Sequence, residues 1–484
     1  MSSSSRLDPE HDVLYFPTMS DNRFVTAVLR SAGFTCIDNY DDDGYSLARL
    51  VALGRASVGD TVCAPLAAVY GDVLEAIADF SRRKTEKDPL LAGKRRLLIF
   101  NNKGLGPCRQ GQYVEVHKLL IAQAGHLGDR PGECQVLPGD SLLQFAVGRE
   151  NEGFNIGLDQ GALLRGFQAI ILQGVTHQLY ANGVLRCKNS AELKEFIAAF
   201  RAFKQRLFRL LETGNGDDPK SGRSALLALL MRVSGQPVAG LINQEVLNEL
   251  RRFRRTHDCR PILEKGRLKF HIEGEVYMRV AQFEEVFRTL LEILGFERFA
   301  LTYSPLWSFL DYKIAGQRLR AGEALREAVR RLSANPLGQS LGERLRQCRH
   351  QGRRCLRVGL RQMFFRHILA APLYRAAGLA LPESMSTVLK RARQIIPTLR
   401  PGGELTPYVG ETLLKLQQGY DLVLNVAPEG CMVAGMGEGF SSALQQSAGQ
   451  GSVQHLFSDN GEVNRAALVD AALKILGPEG FYRR

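Results

Sequence analysis

Both ends of this chain repeat one pattern: a short run of Val, Leu, Ile and aromatic residues, a loop rich in Gly or Pro, then a stretch with helical spacing. An apolar run stopped by such a loop reads as a buried strand, and strands alternating with helices build a parallel sheet. The pattern opens at His11 with Val-Leu-Tyr-Phe, turns at Pro17-Thr-Met-Ser20, continues as a helix to about Gly33 and resumes as strand at Thr35-Cys36-Ile37. Arg95-Arg-Leu-Leu-Ile-Phe100 is the next strand, and Tyr113 to Ala124 is helical. A second series starts with the strand Arg267 to Gly274, the helix Phe283 to Leu294 and the strand Phe299 to Tyr303. It closes with the strand Tyr420 to Ala427 and a helix from Arg465 to Leu476. The expected fold class is α/β.

At 484 residues the chain exceeds one ordinary core. The expected organisation is a first α/β domain over 1–140, a helical insert or bridge over 141–265, and a second α/β domain over 266–484. An arginine-rich helical insert at about 317–380 interrupts the second domain. No apolar run approaches the roughly 18 residues of a membrane span. The polar start, Met-Ser-Ser-Ser-Ser-Arg6, lacks an apolar signal core, so a soluble protein without a membrane partner, located in the cytoplasm, is expected.

Nine cysteines, at 36, 63, 108, 134, 187, 259, 348, 355 and 431, fit free thiols or ligands better than a disulfide framework in such a chain. Three of them stand apart. Gly59-Asp-Thr-Val-Cys63-Ala-Pro65, Gly106-Pro-Cys108-Arg-Gln-Gly-Gln-Tyr113 and Ala427-Pro-Glu-Gly-Cys431-Met432 each put a cysteine beside Gly or Pro. Open α/β sheets present ligand-binding groups in such loops, whose backbone N–H groups can face sulfur. A helix start beside Cys63 favours thiolate over thiol. Thiolates are soft ligands, and three brought together by folding would hold an iron–sulfur cluster.

The formal charge of +13 is carried heavily by arginine, in Arg251-Arg-Phe-Arg-Arg255 and from Arg344 to Arg366. These arginines sit among Leu and Phe at helical spacing, which points to solvated helix faces before an acidic ligand, and to nucleic acid last. Cys348, His350 and Cys355 are spaced poorly for three ligands on one helix face. The Gly435-Met-Gly437-Glu-Gly439 run fits close packing, with phosphate cradling as the alternative. Glu275 and Arg279 read as a structural pair, and His117 as a structural residue on a helix face. No Walker-A sequence is present.

Taken together, Cys63-Ala-Pro65 with Tyr70-Gly-Asp72, Gly106 to Tyr113, Gly274-Glu-Val-Tyr-Met-Arg279, Pro428-Glu-Gly-Cys-Met432 and Asp459-Asn-Gly-Glu-Val-Asn464 resemble the 2-hydroxyacyl-CoA dehydratase family. The chain looks most like that family's large relatives, the CoA-enzyme-activase-associated proteins, alongside the benzoyl-CoA reductase subunits. The resemblance spans nearly the whole chain and is poorest in the middle. It implies two Rossmann-like α/β domains with a 4Fe-4S cluster at their interface, held by Cys63, Cys108 and Cys431, one iron staying open. Arg109, Pro65, Gly430 and Met432 would neighbour the cluster or substrate. The family's partner is an ATP-hydrolysing activase that injects one electron, so ATP would be used only through that partner. The reduced component passes the electron to an acyl-CoA substrate, and a homodimer or a heterodimer with a related subunit is expected. Where many relatives carry a second cysteine shortly after the first, this chain has Pro65-Leu66, which argues against a double-cubane cluster. The resemblance leaves open a non-catalytic iron–sulfur electron-transfer or cluster-carrier protein on the same fold. An arginine-mediated binding module is a third class.

Overall fold

The computed structural model describes residues 8–17, 20–38, 40, 45–59, 62–101, 108–124, 134–138, 160–213, 244–260, 267–295, 298–334, 341–397 and 403–482. The fold is mixed α/β, mostly helical, with two small parallel sheets. The first sheet has the strands β1 (Asp12–Tyr15), β2 (Thr35–Cys36), β3 (Arg96–Asn101) and β4 (Cys134–Pro138), in the order β2-β1-β3-β4. The second has β5 (Leu268–Gly274), β6 (Phe299–Tyr303), β7 (Leu422–Pro428) and β8 (Ser452–Ser458), in the order β6-β5-β7-β8. The second order repeats the first, and every pairing is parallel.

In each sheet the strand order reverses beside the first strand, between β1 and β3 and between β5 and β7. Parallel sheets offer their ligand crevice there, beyond the carboxyl ends of the strands. The loop of Cys108 leaves the end of β3, and that of Cys431 leaves the end of β7. Side chains of β1, β3, β5 and β7 are almost all buried, as parallel strands covered on both faces require.

The helix Gln160–Val184 ties the two sheets together. Its Gln173 amide donates to the Asp21 carbonyl (3.1 Å) beyond β1, and its Gln178 amide donates to the Leu301 carbonyl (2.9 Å) in β6. Gly174 leaves no room for a Cβ, which would stand 2.8 Å from that of Pro305. The Tyr303 hydroxyl donates to the Gly174 carbonyl at 3.3 Å. Beside it the helix Ser190–Glu212 presents Phe196, Phe200, Phe203 and Leu207 at helical spacing, all buried. One apolar cluster runs from Phe24 and Leu50 through Leu172 and Phe203 to Phe270, Trp307 and Leu456.

Between β6 and β7 the chain forms the helices Leu306–Ala334, Leu341–Met363, Ala371–Ala377 and Met385–Ala392, with a π-helical stretch Phe364–Ala370. Their anchor is the fully buried Asp311, which accepts from Arg366 (2.8 Å), Gln362 (2.9 Å) and the Met385 N–H (3.0 Å). Most arginines of helix 341–363, Arg346, Arg349, Arg353 and Arg357 among them, face solvent. Among the described residues no helix is long and apolar enough to cross a membrane. The Gly/Asp/Pro loop at 214–222 and the residues 139–159 of the expected bridge lie outside the described residues.

Candidate functional site

Each of the three singled-out cysteines stands at a helix start. Cys63 is the N-cap of helix Ala64–Thr85, with extended backbone, and Pro65 sits in the first turn, where its missing N–H costs nothing. Cys108 is exposed and precedes the 3-10 turn Arg109–Gln112, which leads into helix Tyr113–Ala124. Cys431 is the N-cap of helix Met432–Gly439. Gly430 before it has a φ of 66°, a left-handed conformation that glycine adopts without strain. Met432, 47% exposed, faces out. The side chain of Arg109 and residues 102–107 lie outside the described residues.

Tyr113 and Glu275 relate the three loops. The Tyr113 hydroxyl lies 3.0 Å from the Cys63 sulfur. Its ionisation is pushed well up, by burial first, then by Cys63, with Glu275 and Cys108 adding to it. Burial pushes the Cys431 thiol up to about 12, and the same Glu275 carboxylate, with Glu404, pushes in the same direction. The sulfur closes no capping hydrogen bond, yet the N–H groups of Val433 and Ala434 draw its ionisation partly back. Glu275 therefore acts on residues of both sheets' loops. The three sulfurs are not all within 4.8 Å of one another, as a single ion's ligands would be. In donor chemistry the set, three thiols at helix starts, is of the kind that iron–sulfur clusters take.

Behind Tyr113 the first sheet supplies a buried support. His117, one helical turn on, is fully buried and lies 2.5 Å from the Asn101 amide at the end of β3. Burial holds its imidazole near a pKa of about 4, hence neutral. The structural reading of His117 agrees with this position.

Behind Cys431 lies a row of buried charge. Glu275 caps helix Val276–Ala281, its Oε2 accepting from the N–H groups of Tyr277 (3.0 Å) and Met278 (2.8 Å). Arg279 does not pair with Glu275 as expected: its Nη1 donates to Glu273 (2.9 Å) and to the Gly274 carbonyl (3.0 Å). The reason is the cap itself, which turns the Glu275 carboxylate toward the helix N–H groups. Glu404 accepts from the Val276 N–H through Oε2 (3.3 Å), while its buried Oε1 has no hydrogen-bond partner. Burial, reinforced by Glu275, raises Glu404 to about 8. Deeper still, His271 lies 3.7 Å from Glu273 and 4.0 Å from Glu411. Burial holds that imidazole neutral, with Lys415 adding to the effect.

The glycine run after Cys431 serves packing at Gly437, where a Cβ would stand 2.6 Å from the Tyr408 ring. Cys36, Cys134, Cys187 and Cys259 are buried, and desolvation holds their thiols protonated. Cys348, His350 and Cys355 are not gathered to one point; among the described residues the one set of three such groups within 4.8 Å is Asp8, Glu10 and His11 at the surface. Glu404 was not visible as a site residue, because a carboxylate in a Gly-Gly turn looks like any solvated turn. No protein-family model matches the chain, and no curated protein or solved structure proved similar to it.

Proposed function

We propose that this chain is the iron–sulfur component of a 2-hydroxyacyl-CoA dehydratase-like or ATP-driven acyl-CoA reductase system. In this reading the two sheets are the centres of two Rossmann-like domains, with Cys63, Cys108 and Cys431 holding a 4Fe-4S cluster where they meet. The observation that carries it is the electrostatic reach of Glu275 to both Tyr113, which touches Cys63, and Cys431. A bound cluster would supply the low-potential electron that reverses the polarity of a 2-hydroxyacyl thioester, where simple acid–base elimination fails.

The chain's own residues have distinct tasks. Tyr113 donates its hydroxyl proton toward the Cys63 sulfur once that is a thiolate, which spreads the sulfur's charge. Glu404 keeps a proton at neutral pH on a carboxyl whose Oε1 has no protein partner, and so can give it to a departing hydroxyl. Glu275 stays fixed by two backbone N–H groups. The electron reaches this cytoplasmic protein from an ATP-hydrolysing activase, and the acyl-CoA enters at the same crevice.

The test is turnover. Anaerobic protein mixed with a reduced activase and ATP should consume at least one member of a broad 2-hydroxyacyl-CoA and aryl-CoA panel. Cluster-loaded protein that is reduced by the activase yet converts none of them belongs instead to an electron carrier.

A further inference from the structure

The layer between the second sheet and the helix Leu405–Gln417 is not apolar, as the covered face of a parallel sheet ordinarily is. His271 and Glu273 lie on one face of β5, each 2% exposed. The helix lays Glu411 within 4.0 Å of His271, and Lys415 within 3.5 Å of Glu411. Burying such groups costs stability, and a fold keeps them where they serve a task.

His271 meets a hydroxyl on each side of its ring. Nδ1 lies 2.8 Å from the Thr302 hydroxyl, which donates to the Tyr420 hydroxyl at 3.1 Å. Thr302, on the edge strand β6, and Tyr420, just before β7, are both half-buried. On the inner side Nε2 lies 3.3 Å from the Ser304 hydroxyl and 3.7 Å from Glu273 Oε2. Glu273 Oε1 accepts from Arg279 (2.9 Å), while Oε2 closes no full hydrogen bond among the described residues. Burial raises Glu273, and Arg279 first, then the nearby Ser304 hydroxyl and Lys415, draw it back. Burial keeps the imidazole neutral, with Lys415 and Arg279 assisting and Glu411 opposing. A neutral imidazole accepts at one nitrogen and donates at the other, and a hydroxyl does both. Every place in the series can therefore pass a proton on.

We propose that Tyr420, Thr302, His271, Ser304 and Glu273 form a proton path from the surface at β6 to the buried charge behind Cys431. A proton taken from bulk buffer enters Nδ1 through the two outer hydroxyls as the proton on Nε2 leaves through Ser304 to Glu273. Each O–H or N–H bond broken is matched by one formed, no electron moves, and no net charge stays on the ring. The arrangement present, with Thr302 donating outward to Tyr420, is the one left after such a transfer. A turn of the ring and rotation of the hydroxyls restore the start. Glu273 is among the charges that act on Glu404, which sets the inner end near that carboxyl. The destination rests on the proposed function: the path returns to Glu404 the proton given to the departing hydroxyl. His271 is then a positioning residue that acts through Glu404.

Protein carrying nitrogen-15-labelled histidine tests the path by nuclear magnetic resonance, with no cluster or activase needed. The His271 ring proton, identified by its loss in His271→Gln, should exchange with water within seconds although the ring is buried. Thr302→Val keeps the side chain's shape and removes the hydroxyl. It should slow that exchange by roughly a hundred-fold, the lower end of what a positioned proton-transfer group contributes. Tyr420→Phe takes its place if Thr302→Val does not fold. A wild-type ring proton that persists for hours, like core amides released only when the fold opens, overturns the path. Unchanged exchange in the folded variant does the same. Turnover separates the two claims. A lower kcat at constant KM in Thr302→Val, with iron content unchanged, puts the path in the reaction. Rapid ring exchange in a protein that converts no thioester supports the path and removes the proposed function.

Discussion

The hydroxyl of Tyr113 lies 3.0 Å from the sulfur of Cys63, a residue 50 positions earlier on a different helix. That contact joins the loop after β3 to the start of helix 64–85 and places an oxygen donor on a proposed cluster ligand. Removing it with Tyr113→Phe should cost about 1 kcal/mol of stability, the net worth of one hydrogen bond, read by urea unfolding. In cluster-loaded protein the same change should lower the reduction potential, because a hydrogen bond to ligand sulfur stabilises the reduced, more negative state.

Glu404 gives a pH dependence of stability with a definite sign. Its folded pKa of about 8 lies above the unfolded value near 4.5, so the fold holds a proton that the unfolded chain has released. The protein is then most stable below about pH 4.5 as far as this group is concerned, and loses stability as pH rises toward 8. Glu404→Gln should remove that slope and raise stability at pH 8 by roughly 2–3 kcal/mol, measured by denaturant unfolding across the range. An unchanged slope would mean that Glu404 is ionised in the fold.

Asp311 is fully buried and holds Arg366, Gln362 and the Met385 N–H. Asp311→Ala strands the Arg366 guanidinium in the interior and should destabilise the protein by about 3–5 kcal/mol. Thermal unfolding followed by circular dichroism checks this.

Gly437 lies under the Tyr408 ring with no space for a methyl group. Gly437→Ala should cost about 1–3 kcal/mol by overpacking. The paired change with Tyr408→Leu should recover part of it, which a double-mutant cycle measures.

The sheet-forming runs at the centres of both sheets were legible, because buried parallel strands are written as continuous apolar residues. β1, β3, β5, β6 and β7 fall where Val, Leu, Ile and Phe cluster. β4 and β8 escaped notice. Both are edge strands, and β8 reads Ser-Val-Gln-His-Leu-Phe-Ser, half-exposed and broken by polar residues. The order β2-β1-β3-β4 and its repetition could not be read at all, since pairing between distant segments leaves no local mark. The helix-start placement of Cys63 and Cys431 was visible from Pro65 and from the Gly430 turn. The Glu275 cap and the orphaned Glu404 oxygen were not, because each depends on neighbours more than 100 residues away or on a backbone N–H pattern that composition does not carry.

Iron and acid-labile sulfide content, with electron paramagnetic resonance, is the most direct test of the cluster. It is measured on anaerobically purified wild type, Cys63→Ala, Cys108→Ala and Cys431→Ala. The account predicts about four irons per chain in the wild type, as a 4Fe-4S centre requires, and their loss in each of the three variants. A colourless wild type that contains no iron and refuses reconstitution, or full iron retained in any of the three variants, contradicts it.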